Sequence, residues 1–358
     1  MASLNQAQAF LAAGNAFRAA GRLDDAIGAY RRAVVAAPEG AAGHYNLGLV
    51  LRESRDWRGA ALAFRDAARL GRGTDYDAIQ NAVATLGAAV EAGAAPFAHD
   101  ALPATGRGTP ISIVVCSVRP GLLGEMRRSY ESALGDREHE FIVVGDARSL
   151  GEGYTRGLAL ARHPIVVFSH DDVEIFSPRA FDAIERALAS HDIVGIAGSQ
   201  LARGPAVMWA GHPHLRGLVA IPGRGKPGAV DATVFSLECG ILGGMQTLDG
   251  FFIAARREAA IAIGFDAATF DGFHFYDLDF TWRAHLAGMR IAVTTEVCAL
   301  HRSLGNFAGD WQRCAIRFAE KFPRLSGSRG PNHHFAAPLA SRENAVRFHA
   351  QLHGLAAA

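Results

Sequence analysis

The sequence predicts two kinds of structure in one chain: an all-α helical repeat module first, then an α/β domain with a mostly parallel sheet. Two observations carry this. The first ninety residues match themselves at a fixed offset of 34, and from Pro110 onward short apolar, β-branched runs alternate with longer helical patterns. At 358 residues the chain has room for roughly two or three domains.

The repeat comes first. "AAGNAFRAAGRLDDAIGAYRRAVVAAP" and "NLGLVLRESRDWRGAALAFRDAARLG" align with Gly14 on Gly48, Phe17 on Leu51, Ala26 on Ala60, Tyr30 on Phe64 and Ala33 on Ala67. The pattern resembles the tetratricopeptide (TPR) repeat, a helix pair in which small residues let two helices approach and large apolar residues fill the gap. Pro38 follows the second helix of the first copy as that family requires, whereas the second copy has Arg72 there. Residues 78–91, "AIQNAVATLGAAVE", read as a degenerate third copy or a cap. About three stacked repeats are needed to bury a continuous core. This module, residues 1–91, is therefore expected to lean on the next domain, on a capping helix, or on a second chain in a homodimer. Its helices serve either to stabilise or dimerise the protein or to capture a peptide or protein on their concave face. Residues 92–109, "AGAAPFAHDALPATGRGT", lack any apolar period and read as a linker.

Residues 110–325 form the second domain. "ISIVVCS", "EFIVVGD" and "PIVVFSHDD" are predicted strands buried on both faces, with helical stretches near Met126–Leu134 and Tyr154–Arg162 between them. Strands alternating with helices imply parallel pairing, and ligands of such sheets bind beyond the carboxyl ends of the strands. The polar ends "CSVR", "GDAR" and "SHDD" are thus expected to line one crevice. Residues 326–358 are expected to be a loop and a short helix, "SRENAVRFHAQLHG", serving as a lid or an interface.

Composition limits the function classes. A formal charge of +1, with 49% hydrophobic and 20% charged residues, argues against nucleic acid or anionic membrane as partner. The four cysteines are far apart and are expected to be reduced and mostly buried. The amino terminus has no basic region followed by an apolar core, and no apolar run reaches the ~20 residues of a membrane span. A cytoplasmic location is expected.

Chemistry concentrates in two stretches. His170, Asp171, Asp172 and Glu174 follow a buried strand, where an unpartnered carboxylate is costly. One reading is a strand end before a helix cap. The other is a site for a hard divalent cation, Mn²⁺ or Mg²⁺, of which Mn²⁺ also tolerates imidazole. In "GFHFYDLDFTWRAHLAGMRIAV", Asp277 and Asp279 open a helix, where acids also complement the helix dipole, and His301 follows "VCAL".

In order along the chain stand "ISIVVCSVR", "FSHDDVEI", "LDGFFIAARRE" and "FYDLDFTWRAHLAG". The stretch from Ile111 to His301 resembles a glycosyltransferase of the GT-A type, family 2-like, over more than half the chain. That resemblance implies a GT-A fold, a nucleotide-diphosphate sugar donor, a divalent cation and inversion at the sugar. It places Asp172 on the cation. His170 replaces the family's first aspartate, which leaves open whether Glu174 is an acidic ligand, directly or through water. Tyr276 replaces the glutamate of the catalytic segment, while Asp277 is retained as general base. His301 falls where many GT-A enzymes carry a late metal-binding histidine, its alternative being a buried structural histidine. Ser117, Arg119, Arg156, Asp171 and Asp249 are implied as substrate contacts. Trp209, in "VMWAGHPHLRG", is either core or a face for a sugar ring.

The function these residues imply is metal-dependent transfer of a sugar to an acceptor, a macromolecule such as a protein if the repeats dock it. The alternative is a TPR scaffold whose glycosyltransferase-like domain is inactive, supported by the departures at His170 and Tyr276.

Overall fold

The computed structural model describes residues 2–71, 75–94, 97, 108–204, 211–224, 226–303, 309–325, 327 and 334–358. The chain divides into two compact units, residues 1–100, 225–237 and 333–358 in one, residues 101–224 and 238–332 in the other.

The first unit opens with helices α1 (Ala2–Ala19), α2 (Leu23–Ala36), α3 (Ala41–Glu53), α4 (Trp57–Leu70) and α5 (Tyr76–Glu91). The repeat glycines explain how the pairs close. A Cβ on Gly14 would lie 2.5 Å from the Tyr30 ring, and one on Gly48 would lie 2.8 Å from the Phe64 ring. Each aromatic side chain of the second helix thus fills the space that a glycine on the first leaves open. Tyr30, Phe64, Ala26 and Ala60 are fully buried as a result. Asp56 and Asp75 cap α4 and α5 by accepting the backbone N–H of Gly59 and of Ala78.

The second unit contains β1 (Ile111–Cys116), α6 (Pro120–Leu134), β2 (His139–Val144), α7 (Leu150–Leu160), β3 (Ile165–His170), β4 (Val173–Ile175), α8 (Ala180–Ser190), β5 (Ile193–Gly195), β6 (Ala197–Ser199) and β7 (Leu215–Pro222). After β8 (Val230–Val234), which belongs to the first unit, it continues with β9 (Ile241–Gly243), β10 (Thr247–Leu248), β11 (Phe252–Arg256), α9 (Arg257–Ile263), α10 (Tyr276–Leu286), β12 (Ile291–Thr294), β13 (Ala299–His301) and α11 (Gly309–Lys321). The large sheet has the order β2-β1-β3-β11-β5-β12-β9. β1 pairs in parallel with β2 and β3, and β12 with β5, but β11 runs antiparallel to both β3 and β5, and β9 antiparallel to β12. The sheet is therefore mixed: β9 and β11 run against the other five strands. Its core joins Val114, Phe168, Ile253 and Val293 of the strands to Tyr154 and Leu158 of α7 and Phe280 and Ala284 of α10.

A smaller sheet runs β10-β6-β7-β13-β4. At the other end of α10's first turn, Asp279 is fully buried and paired with Arg283 at 2.8 Å and with Lys321 of α11. It ties two helices together.

The end of the chain returns to the first unit as β14 (Phe335–Leu339) and α12 (Arg342–Ala357). β14 pairs with β8 antiparallel, and α5 lies so close to it that a Cβ on Gly87 would be 2.9 Å from that of Ala337. The Gln80 side chain donates to and accepts from the backbone of Ala336, at 3.2 and 3.3 Å. Glu91 accepts from Ala340 N–H and from the Asn344 side chain, and Arg65 donates to the Leu355 carbonyl. The covering that two and a half repeats need thus comes from the last residues of the chain. All four cysteines are free, Cys298 and Cys314 buried, Cys116 and Cys239 partly so. Among the described residues no helix is long and apolar enough to cross a membrane.

Candidate active site and metal centre

The first acidic motif, and the stretch that carries Asp249, lie where the chain passes between the two sheets. β3 ends at His170 in the large sheet, Asp171 and Asp172 make the turn, and β4 continues in the small one. In the reverse sense β10 lies in the small sheet, Asp249, Gly250 and Phe251 connect, and β11 enters the large one. A crossing interrupts the ladder, so its side chains are released from sheet packing and can converge. The two crossings are tied together, since the His170 N–H donates to the Phe251 carbonyl at 3.1 Å. β13 then sets His301 opposite Val173 of β4, and the Arg302 N–H donates to the Asp172 carbonyl at 3.1 Å.

These constraints bring one ligand atom each from His170, Asp172 and His301 within 4.8 Å of one another. Nδ1 of His170 lies 3.4 Å from Nε2 of His301, which lies 3.7 Å from Oδ1 of Asp172. Donor atoms held about 2.1 Å from one first-row ion stand about 3.0–3.5 Å apart at octahedral to tetrahedral angles, close to this spacing. Oδ1 of Asp172 is buried with no hydrogen-bond donor, an arrangement that costs free energy unless a cation or proton satisfies it. Burial, and next to it His301, holds the His170 imidazole down to about 4, so it is neutral and able to ligate. The His301 ring stacks on Phe251 with centroids 4.8 Å apart, and its Nε2 also meets the Ser303 hydroxyl at 3.0 Å. The residues fit a divalent ion.

Beside this cluster lie two carboxylates. Phe275, at φ +65°, turns the chain sharply into α10, a left-handed conformation that costs about 1 kcal/mol or more in a non-glycine residue. The turn puts Tyr276 and Asp277 at the head of the helix. The Gly250 N–H donates to Asp277 at 2.8 Å, and the Phe251 N–H to Asp249 at 3.3 Å. Protein packed around Asp277 pushes its carboxyl up to about 7, with Asp249 adding to the effect, yet part of its surface stays accessible. Loss of water also raises Asp249, which His301 opposes.

Ser117 and Arg119 converge on Asp171. The hydroxyl donates to Oδ2 at 2.6 Å, Nε of Arg119 donates to the same oxygen at 3.1 Å, and Nη2 donates to Oδ1. Asp171 is buried while Arg119 is exposed, so the carboxylate holds the guanidinium at the protein surface beside the cluster. Two expected residues lie elsewhere. Glu174 is outside the ligand cluster: its carboxylate accepts from Nε of Arg302 at 2.8 Å and from Nη2, because in the β4–β13 ladder it pairs with Leu300, on the face opposite to that of His301. Arg156 is exposed on α7 and bridges Asp146 at 2.7 Å and Glu152 at 3.2 Å. Trp209 lies outside the described residues.

A family model described as "Glycosyltransferase like family" matches residues 132–312, just over half the chain. The chain belongs to this glycosyltransferase-like family. A second model, "TPR repeat", matches residues 14–53. A search of the curated proteins found no match. Among solved structures, the chain is similar to the mannosyltransferase PcManGT from Pyrobaculum calidifontis in complex with GDP-Man and Mn²⁺, at 14% identity and a TM-score of 0.38, over 78% of this chain and 81% of that one. It is also similar to GalNAc-T7 with UDP, GalNAc and Mn²⁺, at 9% identity and a TM-score of 0.37, over 59% of this chain and 48% of that one. The A197 protein from STIV matches at 12% identity and a TM-score of 0.33, over 55% and 86% of the two chains.

In this glycosyltransferase-like domain the residues that sequence alone leaves aside are the ones that hold the others. Phe251 supports His301 by stacking, and Gly250 supplies an N–H to Asp277. The signal for both was present, as "LDGFF" puts an acid and a glycine between two apolar runs, but nothing in it named their partners.

Proposed function

We propose that the domain transfers a sugar from a nucleoside-diphosphate sugar to an acceptor nucleophile, with inversion at the anomeric carbon. The observation that carries the reading is the buried Oδ1 of Asp172, without a hydrogen-bond donor and set among the ring nitrogens of His170 and His301, with a carboxylate of near-neutral pKa beside them. His170, Asp172 and His301 would hold a divalent cation, Mn²⁺ or Mg²⁺. Bound there, the cation would stabilise the charge that develops on the departing diphosphate. Arg119, fixed by Asp171, presents a cation beside the cluster for the donor's nucleotide portion. Asp277 accepts the acceptor's proton as the new bond forms, a task suited to a base that is half ionised near neutrality. Asp249, close enough to raise Asp277, keeps that base poised.

The repeats support a macromolecular acceptor, since a helical-repeat face can bind extended polypeptide. A recess lined by Asn15, Arg18, Ala19 and Glu53 lies between α1 and α3. Removing residues 1–91 would strip the cover from β14 and α12, so the full chain with Arg18→Ala and Glu53→Ala is the proper probe. Transfer to the macromolecular acceptor should fall while donor hydrolysis persists.

Donor turnover decides the main reading. Purified protein with Mn²⁺ and a panel of nucleotide sugars should release nucleoside diphosphate, and Asp172→Asn and Asp277→Asn should each reduce release at least about a hundredfold. Absence of turnover and of any metal-dependent rise in Tm with UDP or GDP would favour the scaffold reading, in which the repeats do the work.

A further inference from the structure

His170 and Tyr276 occupy the two positions at which this site departs from the pattern it resembles, where an aspartate and a glutamate are expected. Read separately, each departure weakens the case for a working site. In the fold they meet: Nε2 of His170 lies 2.7 Å from the Tyr276 hydroxyl. That contact settles which ring nitrogen remains for the cluster, because Nδ1 is then the atom that faces Nε2 of His301, 3.4 Å away.

Neither partner has room to drift. Tyr276 is 3% exposed, and its ring packs against Tyr154 and Phe265. A Cβ on Gly250 would stand 2.2 Å from the tyrosine oxygen, so the glycine at the crossing between β10 and β11 is what leaves space for it. The His170 backbone is fixed by the Phe251 carbonyl. When Nε2 carries the hydrogen, the phenolic oxygen accepts it and the lone pair stays on Nδ1, the form a metal ligand needs.

We propose that Tyr276 is a positioning residue that holds His170 with Nδ1 toward Asp172 and His301, and that this pair makes a centre of two imidazoles and one carboxylate that selects Mn²⁺ over Mg²⁺. The inference rests on reading the cluster as the cation site of a transferase. Mg²⁺ takes oxygen ligands and binds imidazole poorly, whereas first-row transition metals accept both, so exchanging an aspartate for a histidine narrows the choice of ion. An outer partner of a ligating histidine fixes its tautomer and ring orientation, and losing such a partner typically weakens metal binding by about 10–100-fold.

The test needs neither donor nor acceptor. The full-length protein is titrated with MnCl₂ while the electron paramagnetic resonance signal of free Mn²⁺ is followed, with MgCl₂ as competitor. Wild type should keep Mn²⁺ against about a hundredfold excess of Mg²⁺. Tyr276→Phe should weaken Mn²⁺ binding by about 10–100-fold, and His170→Asp should erase the preference between the ions. In the H170D background Tyr276→Phe should change Mn²⁺ affinity by less than about twofold, because the residue it positions is gone. A tyrosine that only supports the fold would weaken both backgrounds alike, and that result overturns the proposal. So does a wild type that binds Mg²⁺ as tightly as Mn²⁺, or that binds no Mn²⁺. If Y276F does not fold, wild type against H170D decides whether the histidine sets the preference. Metal binding with these preferences but no donor turnover would sink the transferase reading and leave this one standing.

Discussion

The backbone N–H of Gly250 donates to the carboxylate of Asp277 at 2.8 Å, joining the head of α10 to the crossing between the two sheets. This bond favours the ionised form, but the water displaced by surrounding protein, together with Asp249, outweighs it and sets the carboxyl at about 7. A base must be ionised to accept a proton. The rate of transfer, measured as kcat/KM, should therefore rise about tenfold per pH unit below pH 7 and level off above it. A flat profile from pH 5.5 to 8.5 would remove Asp277 from the role of base.

The same shift makes a stability prediction of opposite sense. The unfolded carboxyl ionises near 3.8 and the folded one near 7, so the folded state holds this proton more tightly. Stability from this group is complete below the lower value and is lost as pH rises through the upper one. Asp277→Asn removes the cost of ionisation while its amide oxygen can still accept from Gly250. The variant should be inactive yet melt several degrees higher than wild type at pH 8, and the gain should shrink toward pH 4.

Gly250 has a second role that a methyl group would expose. A Cβ there would meet the Tyr276 hydroxyl at 2.2 Å and the Asp277 Cβ at 2.7 Å. Gly250→Ala should displace both residues, cutting donor turnover by more than about tenfold and weakening Mn²⁺ binding, at a stability cost of about 1–3 kcal/mol. Unchanged turnover in a folded G250A protein would show that the crossing tolerates the shift.

Within the repeats, two glycines inside helices should respond with opposite signs. Gly48 faces the Phe64 ring, which a Cβ would approach to 2.8 Å, whereas Gly28 on α2 has nothing within 4 Å. Alanine gains about 1 kcal/mol over glycine inside a helix. Gly28→Ala should stabilise by up to about that amount, and Gly48→Ala should lose about 1–2 kcal/mol net because overpacking outweighs the propensity. Denaturant titration of each variant reads the sign directly.

Much of this site was legible along the chain. Asp172, His301 and Asp277 stand out because acids and histidines that end apolar runs are costly unless they serve something. The mixed character of the sheet was not legible, since β11, "FIAAR", is as apolar as its neighbours and burial on both faces erases any sign of direction. Nor was the fate of Glu174, which its register with Leu300 on β13 turns from the face of His301 to Arg302.

Local chemistry by itself determined the repeat pairing, because Gly14 with Tyr30 and Gly48 with Phe64 are complementary in volume at a constant spacing. It also determined where strands end and where charge collects. Only the tertiary structure decided what those charges face. The pairing of His170 with Tyr276 spans 106 residues and depends on two strands changing sheets side by side. Such a contact arises from the register of long-range ladders, which no window of sequence contains, and it turns two separate departures from a pattern into one hydrogen bond.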